Sequence, residues 1–179
     1  MLQGPGRPDE DIRGGFRYGG WAQQANDPAL GAAISERIGS GFSWLFGRRS
    51  YEDMLAHWNQ VGGPFKDGLN NADKYVASSS ADIELGWPNS TLLGGDVPAQ
   101  VAALRDRPGG NLVIMGSGQL IRSLLPRGLI DELFLMIHPV LLGSGNRLFG
   151  PDEQPHRLLL LDATPTASGV LMATYQPAE

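Results

Sequence analysis

Apolar and polar positions alternate along the chain in short blocks, a few strand-like residues followed by a stretch with helical spacing. From Met1 to Gly20 the chain is rich in glycine and has no apolar period, which predicts loop. Asp27 and Pro28 then mark a helix start, and Leu30, Ala33, Ile34 and Ile38 share one face before Gly39 ends the run. Phe42 to Phe46 reads as a buried strand between Gly41 and Gly47. Behind it Tyr51, Met54, Leu55 and Trp58 recur at helical spacing, with Ser50 as the expected N-cap and Asp53 three residues on. Tyr75 to Ser78 and Thr91 to Leu93 are further short strands. The second leads through Gly94 and Gly95 to Asp96, the expected cap of a helix carrying Val101 and Leu104. The clearest strand-turn-helix unit of the chain opens with an apolar strand, Leu112 to Met115. Gly116, Ser117 and Gly118 follow it, then a helix with Leu120, Ile121, Leu124 and Leu125 that Pro126 and Gly128 end. Leu133 to Ile137 predicts another buried strand, and Arg157 to Leu161 with Val170 to Tyr175 predict a terminal hairpin. Strands alternating with helices predict an α/β fold: a mostly parallel central sheet covered on both faces, with an antiparallel C-terminal hairpin at one edge.

Composition narrows the function classes. With 179 residues, 41% of them apolar, the chain has the size of one domain spanning residues 1–179. A formal charge of −5 gives no electrostatic reason for nucleic acid or an anionic membrane as partner. There is no cysteine, hence no disulfide framework and no thiolate chemistry. The three histidines, His57, His138 and His156, are too scattered to suggest a metal site. Apolar runs such as Leu158 to Leu161 fall far short of a membrane span, so a cytoplasmic protein is expected. Apolar strands near the C-terminus make a homodimer the expected assembly.

Two strand-turn-helix units end their strands in small or basic residues: Gly47, Arg48, Arg49 and Ser50 in the first, Gly116, Ser117, Gly118 and Gln119 in the second. Ligands of open α/β sheets bind beyond the carboxyl ends of strands, where helix N-termini offer unpaired N–H groups and positive partial charge to phosphate. A glycine after one strand need only make a turn, and an arginine is most often a solvated charge. Two such units, one with paired arginines between a buried strand and a helix start, favour a phosphate-binding edge.

These residues carry a resemblance. Leu45-Phe46-Gly47-Arg48-Arg49-Ser50-Tyr51-Glu52 resembles the turn with which dihydrofolate reductases grip the phosphates of NADPH. Val113-Ile114-Met115-Gly116-Ser117-Gly118-Gln119-Leu120 resembles their second glycine-rich turn, and Tyr75-Val76-Ala77-Ser78-Ser79-Ser80 stands where that superfamily has a strand ending near the adenosine ribose. The tail, with His138-Pro139-Val140-Leu141-Leu142-Gly143-Ser144-Gly145, Arg147-Leu148-Phe149 and Ser168-Gly169-Val170, is similar to the riboflavin-biosynthesis reductase branch, the RibD C-terminal domain. The resemblance implies a dihydrofolate-reductase-like three-layer α/β/α fold. It implies an NADPH-dependent reductase of a small heterocyclic substrate, similar to 5-amino-6-(5-phosphoribosylamino)uracil reductase. A non-catalytic NADP(H)-binding or nucleotide-binding protein of the same fold is the alternative.

Carried across, Gly47, Arg48, Arg49 and Ser50 would hold the pyrophosphate and part of the adenosine end, and Ser78, Ser79 and Ser80 would lie near the 2′-phosphate. Gly116, Ser117, Gly118, Gln119 and Leu120 would pass beneath the pyrophosphate and nicotinamide, with a cis peptide expected between Gly116 and Ser117. Two departures stand out. The superfamily opens with a strand in mid-sheet, whereas Met1 to Gly6 already resembles the loop that follows it. No acid stands where the first helix of the folate enzymes carries its carboxylate, so no catalytic residue is assigned. Asp27, more simply a helix cap, and Trp21, whose ring offers a stacking surface, are the substrate candidates. His138 is expected to be a satisfied structural histidine, and no metal is expected.

Overall fold

A computed structural model describes residues 2–150 and 154–178 of the chain. In chain order the elements are α1 (Pro28–Ile38), β1 (Ser43–Gly47), α2 (Arg48–Val61), α3 (Pro64–Asn71), β2 (Lys74–Ala77), β3 (Ser90–Leu93), α4 (Val97–Arg105), β4 (Leu112–Val113), α5 (Gly118–Leu124), β5 (Leu133–Ile137), β6 (Leu158–Pro165) and β7 (Leu171–Pro177). Single 3₁₀ turns cover Arg13–Gly15, Gln23–Ala25 and Leu125–Arg127. The chain divides into two compact units, one made of residues 1–37 and 130–179, the other of Ile38–Leu129.

Among the described residues, seven strands form two sheets. The expected parallel sheet is four-stranded, in the order β3-β2-β1-β4, and the C-terminal hairpin, instead of extending it, joins β5 in an antiparallel sheet of order β5-β7-β6. The mixed α/β architecture is the expected one. Several boundaries move: β1 runs one residue later than its apolar run, β4 keeps only Leu112 and Val113 of the expected four residues, and β6 continues to Pro165 past an irregularity between Leu160 and Asp162.

In the Ile38–Leu129 unit, alternation along β1 sends Trp44 and Phe46 to one face. There they form a buried cluster with Val76, Tyr51 of α2, Leu69 of α3 and Trp87. Trp44 and Phe46 are nearly parallel with ring centres 5.7 Å apart. Leu45 points to the other face and is fully buried; Leu120, Ile121 and Leu124 of α5 and Val101 of α4 are also buried. Lys74 is completely buried too. Its ammonium donates to the carbonyls of Leu69 and Ala72, and so closes the C-terminal end of α3. Burial depresses its pKa below the usual lysine value, against a smaller upward pull from Asp73.

In the other unit, Arg37 near the end of α1 pairs with Glu132 at 3.0 Å and Asp162 at 3.7 Å, with its guanidinium 4.7 Å from the centre of the Phe134 ring. The edge strand β6 leaves Leu159, Leu160 and Leu161 more than half exposed.

Candidate functional site

Parallel pairing brings the predicted phosphate turns to one edge. Gly47 pairs with Ala77 and Ala77 with Leu93, so β1, β2 and β3 all end at the same level. Gly47 and Gly116 each lie three residues beyond the Trp44–Val113 pair. The turns Gly47–Ser50, Ser78–Ser80 and Gly116–Gln119 therefore all leave the sheet from its carboxyl edge. Gly94 and Gly95 leave it there as well; after a strand their pattern signals a turn as much as it signals the cap that Asp96 provides, accepting from the Ala99 N–H at 3.2 Å.

The first turn is shorter than its sequence suggests. Gly47, extended at φ −75° and ψ 152°, is the residue before α2, and Arg48 already begins the helix. Ser50 is thus the third helical residue and not the N-cap: the helix already begins at Arg48, and the Ser50 hydroxyl meets a side chain from another turn. Arg48 lies 3.8 Å from Glu52 one turn on, whereas Arg49 is exposed and has no ion-pair partner among the described residues. The first N–H groups of α2 lack intrahelical acceptors, so positive partial charge and guanidinium charge coincide here.

Ser117 ties the two turns together. Its Oγ accepts from the Gly47 N–H at 2.8 Å and donates to Ser50 Oγ at 2.7 Å. The residue sits in the left-handed region, φ 55° and ψ 57°, directly after Gly116 at φ 78°. No peptide bond among the described residues is cis, so the expected cis link between Gly116 and Ser117 is replaced by two successive positive φ angles. Gln119 is exposed, while Leu120 is buried and serves the core with its side chain.

At the end of β2, Ser78 is buried, its N–H donates to the Leu93 carbonyl at 3.0 Å, and its Oγ accepts from the Ser80 N–H at 3.0 Å. That closes a local turn which leaves Ser79 exposed. Tyr51 holds the segment that follows: its hydroxyl accepts from the Trp87 N–H at 2.9 Å and meets Ser90 Oγ at 3.0 Å.

All twelve phosphate-turn candidates thus belong to the Ile38–Leu129 unit, whereas Trp21 and Asp27 belong to the other. Asp27 caps α1: Oδ1 accepts from the Ala29 N–H at 2.9 Å, and Oδ2 from the Ser168 N–H at 3.4 Å. Trp21 donates to the Gln3 carbonyl at 2.8 Å and stands edge-on to His138 with ring centres 5.2 Å apart. His138 departs from the expectation of a satisfied histidine: its Nδ1 is buried without a partner among the described residues, and burial holds its pKa below the ordinary value. No group of three or more His, Asp or Glu among the described residues is placed to hold a metal, and no described helix is long and apolar enough to cross a membrane.

Comparison with known proteins agrees with this architecture. Residues 42–172 match the family described as the RibD C-terminal domain. The uncharacterized protein YyaP of Bacillus subtilis is 32% identical over 141 residues, covering 73% of this chain and 71% of its own. Among solved structures, a putative riboflavin biosynthesis protein from Shewanella sp. PV-4 superposes with a TM-score of 0.66 at 23% identity, over 86% of this chain and 81% of that one. Dihydrofolate reductase from Enterococcus faecalis, complexed with NADP(H), gives 0.60 at 16% identity, over 86% and 84%. The two structures share the fold, and the family match over most of the length makes this chain a member of the RibD C-terminal domain family.

Proposed function

We propose that the chain is an NADPH-dependent reductase of a small heterocyclic substrate, with a ribosylated aminopyrimidine as the first class to test. The observation that carries this reading is the convergence of the Gly47–Ser50, Ser78–Ser80 and Gly116–Gln119 turns on the carboxyl edge of one parallel sheet. The residues present suit a dinucleotide phosphate. In a chain of net charge −5, Arg49 has no ion-pair partner and the Ser50 hydroxyl proton no acceptor among the described residues, and the N-terminus of a fourteen-residue helix stands beside both.

When bound, the cofactor supplies a hydride; the protein supplies orientation and charge. The first N–H groups of α2 and the side chain of Ser50 would meet the pyrophosphate, and Arg48 and Arg49, at the same helix start, would reach toward the adenosine end and its 2′-phosphate. Ser79 and Ser80, next to the Ser78 turn, would meet the adenosine end. Gly116, where a β-carbon would meet no described residue within 4 Å apart from its own chain neighbours, leaves room for close approach of the backbone to a ligand. The belonging to a reductase-containing family and the NADP(H) complex of the Enterococcus faecalis fold relative support the choice of cofactor.

A non-catalytic NADP(H)-binding protein is the second reading, favoured by the commitment of Asp27 to two backbone donors. Heat protection by NADPH together with substrate-dependent loss of its absorbance, across a panel of pyrimidine, pterin and quinone substrates, is the expected result for a reductase. Protection without turnover supports the binding protein, and neither effect refutes both.

A further inference from the structure

We propose that Ser117 is a positioning residue whose hydroxyl aims the Ser50 O–H at a phosphate oxygen, so that the second glycine turn sets the donor array of the first; this rests on the dinucleotide reading above. The geometry is a directed chain. The Gly47 N–H, fixed by the backbone, donates to Ser117 Oγ at 2.8 Å, and the Ser117 O–H donates in turn to Ser50 Oγ at 2.7 Å. Ser50 is thereby an acceptor from within the protein, and its own proton has no acceptor among the described residues. A serine in a helical turn often returns that proton to a carbonyl three or four residues back. Here it does not, and the proton is left for a ligand beside the exposed Arg49.

Two further features support a purpose for this chain. Ser117 holds φ 55° and ψ 57°, a conformation few residues other than glycine adopt, although Gly116 and Gly118 flank it. Moreover, a chain of hydrogen bonds polarises each successive member, so a chain that starts at a backbone N–H ends in a stronger donor than an isolated hydroxyl.

The test is calorimetric titration of NADPH into the full chain, with Ser50→Ala, Ser117→Ala and the double variant compared to the unsubstituted protein. Ser50→Ala should weaken NADPH about tenfold, the effect of one charge-assisted hydrogen bond, and Ser117→Ala several-fold. Because both act through one proton, the double variant should lie within about twofold of Ser50→Ala alone. Ser50→Thr, which keeps a hydroxyl, should stay within about twofold of the unsubstituted protein. Should Ser117→Ala fold poorly, Ser117→Gly removes the hydroxyl while easing the backbone and should show the same loss. Losses that multiply in the double variant, or an unchanged affinity in either single one, overturn the inference while leaving the dinucleotide site in place. An unsubstituted protein with no affinity for NADPH removes the dinucleotide reading, and this inference with it.

Discussion

A β-carbon on Gly47 would stand 2.9 Å from Ser117 Oγ and 3.3 Å from Ser117 Cβ. Since Ser117 is itself fixed by the Gly47 N–H and by Ser50, the methyl of Gly47→Ala cannot be absorbed by a rotamer change alone. Over-packing of this kind costs about 1–3 kcal/mol. Gly47→Ala should therefore lower the unfolding free energy measured in urea by that amount, and in the same protein weaken NADPH, since both turns must part. Unchanged stability would mean that the two turns are not in contact in solution.

Much of this edge is legible in the sequence. Gly47-Arg48-Arg49-Ser50 and Gly116-Ser117-Gly118 each interrupt an apolar run with residues that cannot continue a strand, and short strands leave little doubt about which end the turn occupies. Other features were not legible because their causes are tertiary. Helix α3 has only Phe65 and Leu69 as large apolar residues and carries Gly68, so its pattern is weak; it is completed by the ammonium of Lys74 from the next strand. Lys74 reads locally as the polar boundary of a strand, not as a buried residue. Nor can local spacing tell that β5 takes β7 as its neighbour, leaving the hairpin outside the parallel sheet. Nor does local spacing show that Ser117 and Ser50, 67 positions apart, are joined by a hydrogen bond.

Lys74 should be costly to truncate and cheaper to replace by an apolar residue of similar length. Lys74→Ala removes the donors of the Leu69 and Ala72 carbonyls and leaves a cavity beside Trp44, which should cost about 2–5 kcal/mol by chemical denaturation. Lys74→Met fills the volume and no longer buries an ammonium, so it should cost less than half as much. Equal losses from the two substitutions would show that the charge, and not the packing, is what the site needs.

His138 should make the fold acid-sensitive. Burial holds its folded pKa below the ordinary 6.5, so over the window from 6.5 down to that lowered value the unfolded chain binds a proton that the folded chain does not. Stability should fall with pH through this window and level off below it, and the Nδ1 without a partner adds to the preference for the neutral ring. Comparison of urea midpoints at about pH 7.5 and about pH 5 should show a larger loss in the unsubstituted protein than in His138→Gln. The same loss in both would assign the acid sensitivity to other groups.

Arg48 and Arg49 should decide which nicotinamide cofactor is preferred. NADPH differs from NADH by a 2′-phosphate carrying close to two negative charges, and a protein of net charge −5 must set local positive charge against it. The two arginines begin α2 beside the serine turn that follows β2, because Gly47 and Ala77 are paired at the ends of their strands. A charged hydrogen bond is worth about 1.5–3 kcal/mol, but the Arg48 side chain is 44% exposed and 3.8 Å from Glu52, so solvent and the glutamate reduce its share. Arg49, with no ion-pair partner among the described residues, should carry more. The expected order of NADPH affinity is therefore unsubstituted protein, Arg48→Ala, Arg49→Ala and the double variant, with roughly a five- to tenfold step for Arg49 and a smaller one for Arg48. NADH affinity should change much less, so discrimination should largely collapse in the double variant, and the difference should shrink as salt is raised. Calorimetry with both cofactors at two ionic strengths decides the matter. Equal affinity of the unsubstituted protein for NADH and NADPH, or a double variant that binds both as before, would mean that this edge of the sheet does not read the 2′-phosphate.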